Sequence, residues 1–104
     1  MSTMNHAYTM AVVEEDVQLT LVELCRACRA HEEQVQVWVV EGVLTPIGAS
    51  PPEWRFTGAS LRRARLALTL TRELEINAPG VALALDLMDE IEALKASLRR
   101  SARG

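Results

Sequence analysis

Between Thr20 and Leu44 the chain reads TLVELCRACRAHEEQVQVWVVEGVL, two short amphipathic segments separated by a break. No other stretch limits the fold as tightly. Thr20 and Glu23 stand at capping-box spacing, in which each side chain satisfies a backbone N–H of the first helical turn. Leu21, Leu24, Cys25 and Cys28 follow at three- and four-residue intervals, which predicts a helix over about 21–29 with one buried face. The period breaks at Ala30–His31. It resumes with Val35, Trp38 and Val39 over about 32–41, and Gly42 supplies a residue that tolerates the left-handed conformation past a helix end. Two short helices joined by a tight turn make a helix–turn–helix. The second helix, the one that would read DNA, carries Glu32, Glu33 and Glu41 and neither Lys nor Arg. A surface laid against phosphates needs the opposite sign. The scaffold suggests DNA, and its charge argues for a protein partner.

The flanking residues extend this unit. Val17–Leu19 alternates and suits a short strand before Thr20, while residues 1–15 lack a helical period and are read as a loose tail, with Tyr8–Val13 able to add a strand. Thr45–Trp54 holds three prolines and a glycine in ten residues, which is turn chemistry. Val43–Leu44 before it and Trp54–Phe56 after it are placed to pair as a small hairpin, a wing. Thr57 suits the N-cap of a third helix over about 58–75. Leu61, Ala64 and Leu68 form one stripe on it; Leu66, Leu70 and Leu74 form another, so the helix is covered on more than one side. Asn77–Gly80 stops it and opens a last helix over about 79–100, because Asn favours caps and Pro suits a first turn. The expected fold is therefore mainly α. It divides into a tail (1–15), a winged helix–turn–helix (16–78) and a C-terminal interaction helix (79–104).

On the last helix Ala84, Leu87, Ile91, Leu94 and Leu98 are spaced 3, 4, 3 and 4, an a/d seam of about two heptads. That length is marginal for an isolated coiled coil, so the seam is expected to pack on its own domain as well, and covering the core competes evenly with homodimerisation as its role. At about 100° per residue, Asp86, Asp89 and Glu90 fall on the opposite face. Leu83 and Leu85 beside them are read as exposed apolar anchors for a partner.

Charge is unevenly placed. Residues 1–54 carry a net charge of −6 and residues 55–104 of +3, within a total of −3 over 104 residues. Such asymmetry hints at distinct partner surfaces. Arg62, Arg63, Arg65 and Arg72 are the best argument for nucleic acid, since they could hold phosphates; the competing reading is that they balance the acids of the first two helices. Cys25 and Cys28 form a C-x-x-C with His31 beyond it. Zinc sites use that spacing in loops with a second ligand pair, and redox enzymes use it at a helix start. Inside a helix and without a second pair, the two are read as buried structural thiols, with no metal or cofactor. His31 is assigned a capping or solvent role and His6 lies in the tail. Trp38 and Trp54 are assigned to packing. No catalytic constellation or phosphate loop appears, so no enzyme and no small-molecule substrate is expected. No signal segment or membrane-length run is present, and the cytoplasm is the expected compartment.

Several of these segments resemble a known family. Thr20–Pro46 is similar to the opening of a MerR-type winged helix–turn–helix, with Glu23–Leu24 and Gly42–Leu44 at the places of its E-L-A-type helix and G-L-L ending. Trp54–Phe56 stands where that family has a Y-R-x wing strand, and Arg72–Leu74 resembles the R-E-L that closes its third helix. Within that superfamily, Pro79–Arg100 (PGVALALDLMDEIEALKASLRR) resembles the Pro-Gly-x-Ala-x-Ala-Leu helix of the CbpM chaperone modulators. The resemblance covers about residues 17–100. It implies binding to the J-domain of CbpA, a DnaJ-like co-chaperone, and restraint of its action on the Hsp70 chaperone DnaK. A J-domain of that type presents a basic helix, to which Asp86, Asp89 and Glu90 would be complementary; Glu14–Asp16 and Glu32–Glu33 also qualify. Ordinary MerR regulators present Arg and Tyr to DNA where this chain has Gln36, Val37 and Trp38, so direct base readout lacks its usual side chains. The alternative function is a MerR-like DNA-binding regulator.

Overall fold

The computed structural model describes residues 17–103, which form four helices and a two-stranded sheet. The expected Tyr8–Val13 strand and residues 1–15 lie outside the described residues.

Strand β1 (Leu19–Thr20) runs directly into α1 (Leu21–Cys28). The capping box forms: Glu23 N–H donates to Thr20 Oγ1 at 3.1 Å and Thr20 N–H donates to Glu23 Oε1 at 2.8 Å. Arg29 ends α1 in the left-handed region at φ 61°, and its successor Ala30 donates to Cys25 O at 3.1 Å. Helix α2 (Glu32–Val40) follows at once and stops at Gly42, whose φ of 84° only glycine adopts without strain. Val35 and Trp38 of α2 close on Leu21, Leu24, Cys25 and Cys28 of α1 in a single core.

The wing differs from the expected hairpin. Val43 and Leu44 are buried, and their N–H groups fold back onto Trp38 O at 2.7 and 3.4 Å, so they seal the end of α2 instead of pairing. Strand β2 (Arg55–Phe56) lies antiparallel to β1, Leu19 opposite Phe56 and Thr20 opposite Arg55. On its other side Ile47 and Arg55 exchange both backbone hydrogen bonds, at 2.9 and 2.8 Å. Gly48 makes this return possible, because at φ 118° a Cβ would come within 2.7 Å of Glu53 O. Trp54 and Phe56 meet edge to face at 5.9 Å and complete the core as packing groups.

Helix α3 (Gly58–Glu73) is capped by Thr57, whose Oγ1 accepts from Ser60 N–H at 3.2 Å. Gly58, Ala64 and Ala67 are its buried positions, the two alanines small enough to let α1 approach; Leu61, Leu68 and Leu70 flank them, while Leu66 and Leu74 face solvent, so the second stripe is only partly covered. Asn77 Oδ1 accepts from Gly80 N–H at 2.9 Å and starts α4 (Ala78–Arg103), with Pro79 in its first turn. At 26 residues α4 is about 39 Å long, and it accounts for the 46 × 29 × 27 Å shape of the molecule. Its buried residues are Val81 and Leu85. No helix among the described residues is long and apolar enough to cross a membrane.

Candidate partner-binding surfaces

Helix α4 has one side in the domain and a long remainder outside it. Val81 and Leu85 enter the core, and past Leu85 no residue of α4 is buried. Leu85 is only 2% exposed, so it is a core residue and cannot be the exposed anchor expected of it; Leu83, at 61%, is available. The a/d seam does not cover its own domain either. Ala84 is half-buried, but Leu87, Ile91, Leu94 and Leu98 are 50–69% exposed. The inward stripe runs through 81 and 85, which turns the 87–91–94–98 stripe to solvent.

The acids of α4 are differently placed from expectation. The Arg63 guanidinium reaches from α3 to Asp86 Oδ1 at 2.9 Å and Asp89 Oδ2 at 2.7 Å, and its Nε donates to Val43 O. Asp86 and Asp89 are thus not a bare anionic face but two arms of a clamp joining α3, α4 and the segment after α2. Glu90 is exposed and enters no ion pair among the described residues.

The same clamp removes Arg63 from the cluster that could hold phosphates. Arg65 donates to Ala27 O at 3.4 Å and Arg72 to Arg29 O at 3.3 Å, both at the carbonyl end of α1, where a cation meets the negative pole of the helix. Arg62 lines a groove between α3 and α4 with Arg65, Leu66, Met88, Asp89 and Glu92. Arg63, Arg65 and Arg72 do serve internal charge balance, but toward carbonyls of α1 and acids of α4 rather than toward acids of the first two helices. Nothing in the sequence marks which acid a distant arginine will meet, so the clamp is visible only in the fold.

Helix α2 presents the contrasting surface. Val35 and Trp38 face inward, and Glu32, Glu33, Gln36, Val37, Val40 and Glu41 are all exposed. No ion pair among the described residues engages any of the three glutamates. His31 holds the N-cap position without a side-chain hydrogen bond. At the start of this face a cleft of about 230 Å³ is lined by Thr20, Leu21, Val22, Glu32, Gln36, Pro51 and Pro52.

Cys25 and Cys28 are buried free thiols. Burial pushes both thiols up from their ordinary value, reinforced at Cys25 by Cys28 and Glu32, and opposed at Cys28 by backbone hydrogen bonds, Arg65 and Arg72. Such thiols are poor nucleophiles. Among the described residues, no three His, Cys, Asp or Glu side chains gather as a metal site.

A capped helix–turn–helix, a reduced wing and a long exposed helix define a MerR-type protein, and a family model described as "MerR HTH family regulatory protein" matches residues 19–102. Among curated relatives, "Chaperone modulatory protein CbpM" of Coxiella burnetii (strain Dugway 5J108-111) is 40% identical over 88 residues, covering 85% of this chain and 83% of its own. The protein of the same name from Pseudomonas putida (strain W619) is 38% identical over 79 residues, covering 76% of this chain and 78% of its own. The chain belongs to the CbpM family of chaperone modulatory proteins, within the MerR-type helix–turn–helix proteins.

Proposed function

We propose that the protein is a chaperone modulator that binds the J-domain of a DnaJ-like co-chaperone of the CbpA kind and restrains its action on the Hsp70 chaperone DnaK. Family membership carries this reading, and the charge distribution supports it. The helix that would read DNA lacks cations, and Arg63 and Arg65 of α3 are already engaged within the fold. Inhibition then needs no catalysis, cofactor or metal. A J-domain whose Hsp70-facing surface is covered by one protein is closed to another. On α4, Glu90 and Leu83 are exposed and form a competing edge for the partner, to which Asp86 and Asp89, already matched by Arg63, add little. The exposed 87–91–94–98 seam is assigned to a homodimer, and the cytoplasm, where such chaperones work, is the assigned compartment.

An ATPase assay tests the function. DnaK stimulated by a CbpA-type co-chaperone should lose the stimulation as this protein is added in excess, while its basal rate stays unchanged. A gel shift against duplex DNA at low and moderate salt should find no sequence-dependent complex, since phosphate-driven binding weakens steeply with salt. Undiminished stimulation together with tight, sequence-dependent DNA binding would instead establish a MerR-like transcriptional regulator.

A further inference from the structure

We infer that the docking seat for the partner is the solvent face of α2, where a DNA reader would meet its groove, and that the occupant is a cationic amphipathic helix. The inference rests on the chaperone reading only for the identity of that helix's owner. Its physical basis is local to α2.

At about 100° per residue, the six exposed residues fill the half of α2 turned away from Val35 and Trp38. Val40 and Glu33 sit near the middle, Val37 and Gln36 beside them, and Glu32 and Glu41 at the two edges. Along the axis Glu32 and Glu33 lie in the first turn and Val37 and Val40 in the later turns, so an anionic end adjoins an aliphatic one with Glu41 at its edge. Val40 is 81% exposed and Val37 45%. Valine is a poorer helix former than Ala, Lys or Gln, so neither position serves the stability of the isolated helix. An anchor for a partner gives both a reason. Helices that dock into such faces place apolar residues at i, i+3, i+4 and i+7, and packing of that kind joins two helices at 8–10 Å between axes.

Two further features select the occupant's chemistry. The carboxylates of Glu32, Glu33 and Glu41 have no cation among the described residues, unlike Asp86 and Asp89, whose charge is already answered. The cleft between the start of α1 and Pro51–Pro52 opens beside Glu32 and Gln36. Its Leu21, Val22 and proline walls suit an aliphatic side chain or the stem of a lysine, with Glu32 at the rim for the ammonium group. Nucleic acid and anionic lipid are repelled by this surface. A helix carrying Lys or Arg on both sides of a Leu or Val stripe satisfies every group on it.

The test compares α2 with α4 in the full-length protein, after circular dichroism has verified that each variant is folded. Anisotropy titrations use two probes: the isolated J-domain of a CbpA-type co-chaperone, and a synthetic helix of Leu flanked by Lys and Arg. The double variant Glu33→Lys/Glu41→Lys should bind both probes at least about tenfold more weakly, through a slower, less salt-dependent association. Val37→Ser/Val40→Ser should instead raise the dissociation rate, as loss of apolar anchors does. Glu90→Lys on α4 should change affinity less than about threefold. If the wild type binds the synthetic helix through α2 but not the J-domain, the seat stands and the chaperone reading falls. If the α2 variants bind the J-domain within about twofold of the wild type, or neither probe binds, the seat is refuted.

Discussion

Helices α2 and α4 both turn carboxylates and aliphatic side chains to solvent, yet the two surfaces have opposite settings. On α4 the acids Asp86 and Asp89 are matched by Arg63, and the apolar residues keep a 3-4 spacing over about three turns beyond the domain. On α2 the acids have no cation among the described residues, and the apolar patch is a single pair, Val37 and Val40, next to the carboxylates. A surface whose charges are answered from within and whose leucines repeat in heptads can close on a copy of itself. One whose charges are all of one sign repels its copy and calls for something basic. Exposed apolar area alone does not distinguish these roles; the state of the neighbouring charges does.

The largest effect that would break this comparison lies in the seam. Ile91→Asp/Leu94→Asp should convert a dimer to a monomer in light scattering, because two carboxylates cannot be buried together in an apolar interface. Neither side chain is buried in the described fold, so the monomer should retain its helical content. A wild type already monomeric at tens of micromolar would remove the self-association role from α4.

Next in size is Arg63→Ala, which makes α4 resemble α2 by exposing two unanswered aspartates. The loss should be about 2 kcal/mol in chemical denaturation, most of it from the charged hydrogen bond to the Val43 carbonyl. The two aspartate pairs add little, since Asp86 and Asp89 are about 70% exposed and screened by solvent. A change below about 0.5 kcal/mol would mean that the clamp holds nothing together.

What the sequence made legible follows the range of the interaction. The caps at Thr20 and Thr57, the stop at Gly42 and the thiols facing the core are decided within one or two helical turns, and each appears where spacing placed it. Leu85 is a core residue and not the exposed anchor that spacing suggests, because α4 carries two apolar stripes, 81–85 and 84–87–91–94–98. A helical period does not say which of two stripes meets the core; the approach of α3 does. The Val43–Leu44 wing strand failed for a related reason. Two apolar residues after a glycine suit a strand or a helix seal equally, and the open end of the core beside Trp38 took them. Arg63, Asp86 and Asp89 are over twenty residues apart, and no local rule joins them. The anionic character of α2 needs no structure, and the helical period that selects Val35, Trp38 and Val39 leaves Val37 and Val40 off the inward face, where the structure exposes them.

The smallest effect is the most discriminating, because stability and binding should move in opposite directions. Glu41 is the C-cap of α2, its N–H donating to Val37 O at 2.9 Å, and the last turn of that helix holds no base. A carboxylate there sits against the negative pole of the helix, whereas Glu32 and Glu33 in the first turn sit at the favourable, positive pole. Replacing Glu41 by Lys should therefore stabilise the free protein by about 0.3–1 kcal/mol. The same change places a cation on the rim of the face assigned to a basic partner, and J-domain affinity should fall about threefold or more. A residue retained at a cost to its own helix and a gain to an interface is what a functional surface requires. Thermal denaturation and the anisotropy titration, run on the same preparation, give both signs. A more stable variant with undiminished affinity would leave Glu41 as a misplaced charge and nothing more, and the contrast between α2 and α4 would then rest on Glu32 and Glu33 alone.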